Sequence, residues 1–148
     1  MVLMKNEVLE NGDIVGHYTG EVKGGKEEDQ VGFYSLQMPL FKRLDDEIVQ
    51  GFDNKRKLPK PVSIFYVDAS KKGNLTRFMN HSCEPNCVYD TWINNGDAQV
   101  WVRVNSKKKI QGPEPLTIDY GVDAPKFFND GICLCGSKRC RYPPPEAA

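Results

Sequence analysis

The densest chemistry in the chain lies near its end, where Cys133-Leu134-Cys135-Gly136-Ser137-Lys138-Arg139-Cys140 places three thiols on one short loop. Steps of two and five residues, turned by Gly136, let three sulfurs converge on one point. Zinc takes four ligands in a tetrahedron, with Zn–S near ~2.3 Å. Cys83 or Cys87, the two remaining cysteines, supplies the fourth. Four thiolates leave no position for water, so such a site is structural and staples the tail to the core. The competing readings are unliganded reduced thiols and an iron–sulfur cluster, which also uses four cysteines. An odd cysteine count makes a poor disulfide framework.

A second concentration of polar groups is Tyr66–Cys87, YVDASKKGNLTRFMNHSCEPNC. It holds the pair Asn80-His81 and a turn-forming Glu84-Pro85-Asn86. On residue types alone His81 reads as structural, and no reaction follows from it. Tyr18 and Tyr120, taken alone, read as aromatic residues at strand ends.

The elements that must carry these residues are short strands. Ile14, Val15 and Tyr18 follow the turn Asn11-Gly12-Asp13. Further apolar runs are Ile64–Val67 and Cys87–Ile93, the latter ending at Asn94-Asn95-Gly96, a tight-hairpin signal. Beyond it Val100, Val102 and Val104 alternate with Trp101 and Arg103, which puts the valines on the buried face of a strand. A last strand is expected at Leu116–Asp119. Leu40, Leu44 and Ile48 recur every four residues and fit either a short helix or two strands turning at Asp45-Asp46. Asp53–Pro61 reads as a polar loop, and Pro143–Ala148 as a disordered tail.

Composition agrees with one soluble domain of mainly β structure. Hydrophobic residues are 39% and charged residues 27% of 148, enough apolar material for one core. Lysine plus arginine equals aspartate plus glutamate at 20 each, which argues against nonspecific nucleic-acid binding. The charge runs Lys26–Asp29, Asp45–Glu47 and Lys107–Lys109 read as solvated turns. No apolar stretch is long enough to span a bilayer. The first ten residues lack a secretory pattern, so an intracellular location is expected.

Four segments, in order, carry a resemblance. They are Gly12–Glu21 ending in Tyr18-Thr19-Gly20-Glu21, Arg77–Cys87 (RFMNHSCEPNC), Leu116–Gly121 (LTIDYG) and Cys133–Arg141. Together they resemble the SET-domain protein lysine methyltransferases with a post-SET zinc segment, over roughly Val2–Arg141. The Tyr66–Cys87 stretch with Trp92 most resembles the subgroup acting on histone H3 tails.

The resemblance implies a β-rich SET fold of small curved sheets with a pseudoknot at Arg77–His81, few short helices, and a C-terminal zinc segment. It implies a SET domain over residues 1–124 and a zinc segment over 125–148. Tyr120 and Tyr18 are implied as catalytic residues. Phe33, Tyr34, Arg77, Asn80 and His81 are implied to hold S-adenosylmethionine, with backbone groups at Asn80 and His81 beside Tyr120. Cys83, Cys133, Cys135 and Cys140 are implied as zinc ligands, which leaves Cys87 a buried thiol. A histone tail or another lysine-bearing protein is the implied partner, without nucleic acid or membrane, in the nucleus. Ile118 stands where much of the family has Phe or Tyr, and Tyr89 is a candidate for the missing aromatic bulk. The family's opening glycine-rich turn has no counterpart before Met1–Met4, and Gln111–Pro115 replaces the usual approach to the late motif. The reading from another class is a non-catalytic, zinc-held module that binds peptide or protein.

Overall fold

Valines, isoleucines and aromatic residues favour extended backbone, and they recur here in runs too short for long helices. The computed structural model describes residues 1–24, 34–42, 48–50, 63–94, 97–121 and 124–145. Its strands are β1 (Val8–Leu9), β2 (Ile14–Tyr18), β3 (Glu21–Gly24), β4 (Ser35–Lys42), β5 (Ile48–Gln50), β6 (Ser63–Asp68), β7 (Asn80–His81), β8 (Cys87–Asn94), β9 (Asp97–Val104), β10 (Ile110–Gln111) and β11 (Thr117–Ile118). Among the described residues the only helical segments are single 3-10 turns, at Leu75–Phe78, Ala124–Phe127 and Asn129–Gly131. None of these is long and apolar enough to cross a membrane. The mainly β expectation holds.

The chain divides into two compact units. The first comprises Met1–Val15, Phe78–Tyr89 and Val102–Ala148. Here β1 pairs antiparallel with β10, and β7 pairs parallel with β11 in the register Thr117↔Asn80 and Ile118↔His81. Its core is Leu3, Met79, Cys87, Val102, Val104, Ile110, Leu116 and Ile118, each 7% exposed or less. Met79 therefore sits in the core while Asn80, its neighbour on β7, faces out. That alternation follows from the two-residue period of a strand.

The second unit comprises Gly16–Arg77 and Asp90–Trp101. Its four-stranded sheet runs β3-β6-β4-β5, antiparallel throughout. β6 pairs along both edges, with β3 and with β4, and the adjacent Tyr66 and Val67, which point to opposite faces, are both buried, as suits the continuously apolar run Ile64–Val67. The β4–β5 register, Leu40↔Gln50 to Lys42↔Ile48, selects two strands for the stretch the sequence left open. A spacing of four is a multiple of two, so it satisfies one strand face as well as one helix face. Pairing with β6 over six registers decides for the strand. The turn at Asp45-Asp46, the Asn95-Gly96 turn, the 53–61 loop and the tail beyond Pro145 lie outside the described residues.

Strands β2, β9 and β8 form a three-stranded sheet in that order. The expected alternation along β9 holds: Val100, Val102 and Val104 are at most 1% exposed, while Trp101 and Arg103 are half-buried.

Candidate active site and thiol cluster

In the first unit, the parallel β7–β11 pair fixes where Tyr120 can lie. The chain leaves β11 at Ile118, and Gly121 then turns it at φ +83°, a left-handed backbone that side chains resist. Asp119 steadies this turn by accepting the Gly121 N–H at 2.9 Å. The buried His81 imidazole takes the next group: its Nδ1 accepts the Tyr120 N–H at 3.1 Å. Tyr120 Oη donates to the Met79 carbonyl at 2.7 Å. The phenol is thus held at backbone and hydroxyl alike. Its proton is committed to a carbonyl, and a phenol oxygen can accept as well as donate. Burial pulls the His81 pKa below the usual imidazole range, against the opposing pull of Asp119.

Aromatic rings complete the surroundings. Phe127 meets the Tyr120 ring edge-on at 5.9 Å, and Phe128 lies 5.1 Å from His81 and 6.1 Å from Tyr142. Residue patterns did not single out these three, although Phe127-Phe128 is an adjacent aromatic pair. Asn80 is exposed on β7, whose outer edge is unpaired among the described residues. A strand edge offers backbone N–H and C=O groups to a ligand.

Asn86, read from sequence only as part of a turn, clamps β11 from below. Its Oδ1 accepts the Thr117 N–H at 2.8 Å and its Nδ2 donates to the Pro115 carbonyl at 3.0 Å. Asn86→Ala strands both groups, and we expect a stability loss of about 1–3 kcal/mol. Urea melts check this: the midpoint should fall while the slope stays constant.

The four expected thiols converge in the same unit. The Sγ atoms of Cys83, Cys133, Cys135 and Cys140 all lie within 4.8 Å of one another. Cys83 is 4.0 Å from Cys133 and 3.9 Å from Cys140. A tetrahedron with bonds of ~2.3 Å has edges of about 3.8 Å, so the sulfurs fit zinc. All are free of disulfides. Gly136 turns the loop at φ +69°, and Glu84 braces it from outside, accepting from Ser137 Oγ and Arg139 Nε. Burial pushes the Cys133 thiol up to about 12. Burial acts on Cys135 too, but the backbone N–H groups of Cys83 and Ser137 and the neighbouring thiols outweigh it and hold that thiol at about 6. Amides aimed at sulfur favour the thiolate, the form that ligates metal. Cys87 is fully buried away from this group, and burial raises its pKa to about 11, as suits a core thiol.

In the second unit, three other expected residues come together. Tyr18, 5% exposed, donates from Oη to the Tyr34 carbonyl at 2.8 Å, and the same carbonyl accepts the Ala69 N–H at 3.0 Å. The Arg77 guanidinium donates to the Ala69 carbonyl and stands 5.1 Å over the Tyr34 ring. Phe33 lies outside the described residues.

Comparison with known proteins agrees with this geometry. Residues 2–121 match the family model described as "SET domain". A histone-lysine N-methyltransferase of Mycosarcoma maydis, named as H3 lysine-4 specific, is 34% identical over 91% of this chain and 8% of its own length. A Gibberella zeae enzyme named as H3 lysine-36 specific is 34% identical over 89% of the chain and 13% of its own. Arabidopsis thaliana SUVH3, named as H3 lysine-9 specific, is 32% identical over 90% of the chain and 23% of its own. The chain thus spans a quarter or less of the length of these relatives. With the family model covering residues 2–121 of its 148, the chain belongs to the SET domain family.

Proposed function

We propose that this chain is an S-adenosylmethionine-dependent protein lysine N-methyltransferase whose substrate is a histone H3 tail. The observation that carries the reading is the double tether of Tyr120, by His81 Nδ1 and by the Met79 carbonyl. S-adenosylmethionine, when bound, supplies an electrophilic methyl group on a sulfonium. The open edge of β7 at Asn80 and the rings of Phe127 and Phe128 suit a purine, which needs both hydrogen bonds and a stacking face. Asn80, His81, Phe33, Tyr34 and Arg77 are assigned to that ligand; Tyr120 and Tyr18 are assigned to the lysine.

A free lysine amine has a pKa near ~10.4 and must lose its proton before it can attack. Apolar aromatic walls disfavour the ammonium and so lower that pKa. The Tyr120 oxygen accepts an amine N–H and aims the nitrogen lone pair along the line of displacement. Alignment in a dry channel then supplies most of the acceleration. We further assign residues 1–124 to the catalytic domain, 125–148 to the zinc segment, zinc to the four thiols, and the nucleus as the place of action. The relatives are named for three different lysines, so the target lysine is left unassigned.

Ile118 is buried and Tyr89 packs against the same core as Tyr120, which supports Tyr89 as the bulk that limits product state. Mass spectra of peptide methylated by Tyr89→Phe should show a shifted distribution of mono-, di- and trimethyl products; an unchanged distribution rules Tyr89 out.

The test of the whole reading is calorimetric binding of S-adenosylmethionine to zinc-loaded protein, with Asn80→Ala as control, followed by mass analysis of an H3 peptide. Micromolar binding lost in the variant, with methyl gained on lysine, is the expected result. No binding at millimolar cofactor would mean either that the cofactor pocket needs sequence beyond these residues or that the chain is a peptide-binding module, and a longer chain carrying the glycine-rich turn would separate the two.

A further inference from the structure

His81 touches two things that the proposed reading treats separately. Its Nδ1 accepts the Tyr120 N–H at 3.1 Å, and its Nε2 lies 3.3 Å from Cys83 Sγ. A backbone N–H can only donate, so Nδ1 must present a lone pair. A neutral imidazole with a bare Nδ1 carries its proton on Nε2. That proton is therefore aimed at the Cys83 sulfur. A second donor reaches the same atom, the Arg141 N–H at 3.3 Å. The Arg141 guanidinium in turn binds Asp119 Oδ1 at 2.5 Å, on the turn that carries Tyr120.

We propose that His81 is a positioning residue between the metal and the catalytic tyrosine: as the Nε2–H tautomer it donates to the metal-bound Cys83 thiolate while its Nδ1 holds the Tyr120 backbone. The proposal rests on the assignment of a metal to the four thiols. Its consequence is that the thiolate charge orients the ring, and the ring sets the Tyr120 backbone. Outer-sphere donors of this kind commonly tune a metal's affinity as well as its ligands' orientation.

The test uses the whole chain loaded with cadmium-113 in place of zinc and labelled with nitrogen-15. Long-range imidazole spectra should show His81 protonated at Nε2 and bare at Nδ1. A proton–cadmium correlation should show couplings through Cys83 to both the His81 Nε2–H and the Arg141 amide. An Arg141 coupling without one from His81, or the opposite tautomer, overturns the proposal while leaving the metal assignment standing. No cadmium signal at all overturns both. Two variants add an independent reading. His81→Phe keeps a ring but loses the donor, and should weaken zinc about 10-fold in competition with a coloured chelator, with His81→Gln recovering part of the loss. Equal affinities in all three proteins would also overturn it.

Discussion

Tyr120→Phe should lower the rate of methyl transfer by about 10²–10³-fold while the protein stays folded, a loss comparable to removing one preorganised polar group from a transition state. The substitution keeps the ring that packs against Phe127 and His81. It removes only the oxygen, and with it the bond to the Met79 carbonyl. That bond contributes about 1 kcal/mol to stability, too little to unfold a domain. Cofactor affinity should change little, because the proposed mechanism assigns the hydroxyl to the substrate amine and not to the cofactor. Single-turnover mass spectrometry at saturating cofactor separates these effects: the chemical step should slow while calorimetry gives a near-native Kd. A rate within about tenfold of native would remove the hydroxyl from the mechanism.

If the four thiols hold zinc as proposed, stripping it should do comparable damage by another route. Without a cation between them, four thiolates held within 4.8 Å of one another repel. Structural zinc contributes about 10 kcal/mol or more to the folding of small metal-bound segments. We expect a strong chelator to lower the Tm by about 10 °C or more. Hydrogen exchange should accelerate at the Cys133 amide, bonded to the Tyr142 carbonyl, and at the Cys140 amide, bonded to Ser137. Cys135→Ser should reproduce the effect, and Cys87→Ala should still retain one metal per chain. If Cys87→Ala instead loses the metal and Cys83→Ala keeps it, the ligand set drawn here is wrong.

The comparison of Cys83 with Cys87 shows what the residues alone could and could not reveal. Spacing predicted a four-thiol cluster but left two candidates for its fourth member. The structure separates them through strand position, since Cys87 opens β8 and points into the core. The valines of β9 were legible because burial and period coincide there. The stretch Leu40–Ile48 was not, because its spacing fits both regular structures and only pairing with β6 decides. Within the site, Tyr120, Asn80 and His81 were found through resemblance, not through their types. The Met79 carbonyl was invisible, since every residue has a carbonyl and only the fold selects one. Asn86 was hidden for a related reason: its partners, Pro115 and Thr117, are about thirty residues away in sequence and are backbone groups.

The thiol cluster also has a consequence in time. Cys83 and Cys140 are 57 residues apart in sequence yet share one site. As the chain leaves the ribosome, Cys83 must wait for the whole of β8 to β11 and the last loop before its partners exist. Closing so long a ring costs chain entropy, and contacts of this span form late. Tyr120 lies inside that ring. A nascent chain still lacking Cys133, Cys135 and Cys140 therefore holds Tyr120 before it holds the cluster that closes this ring.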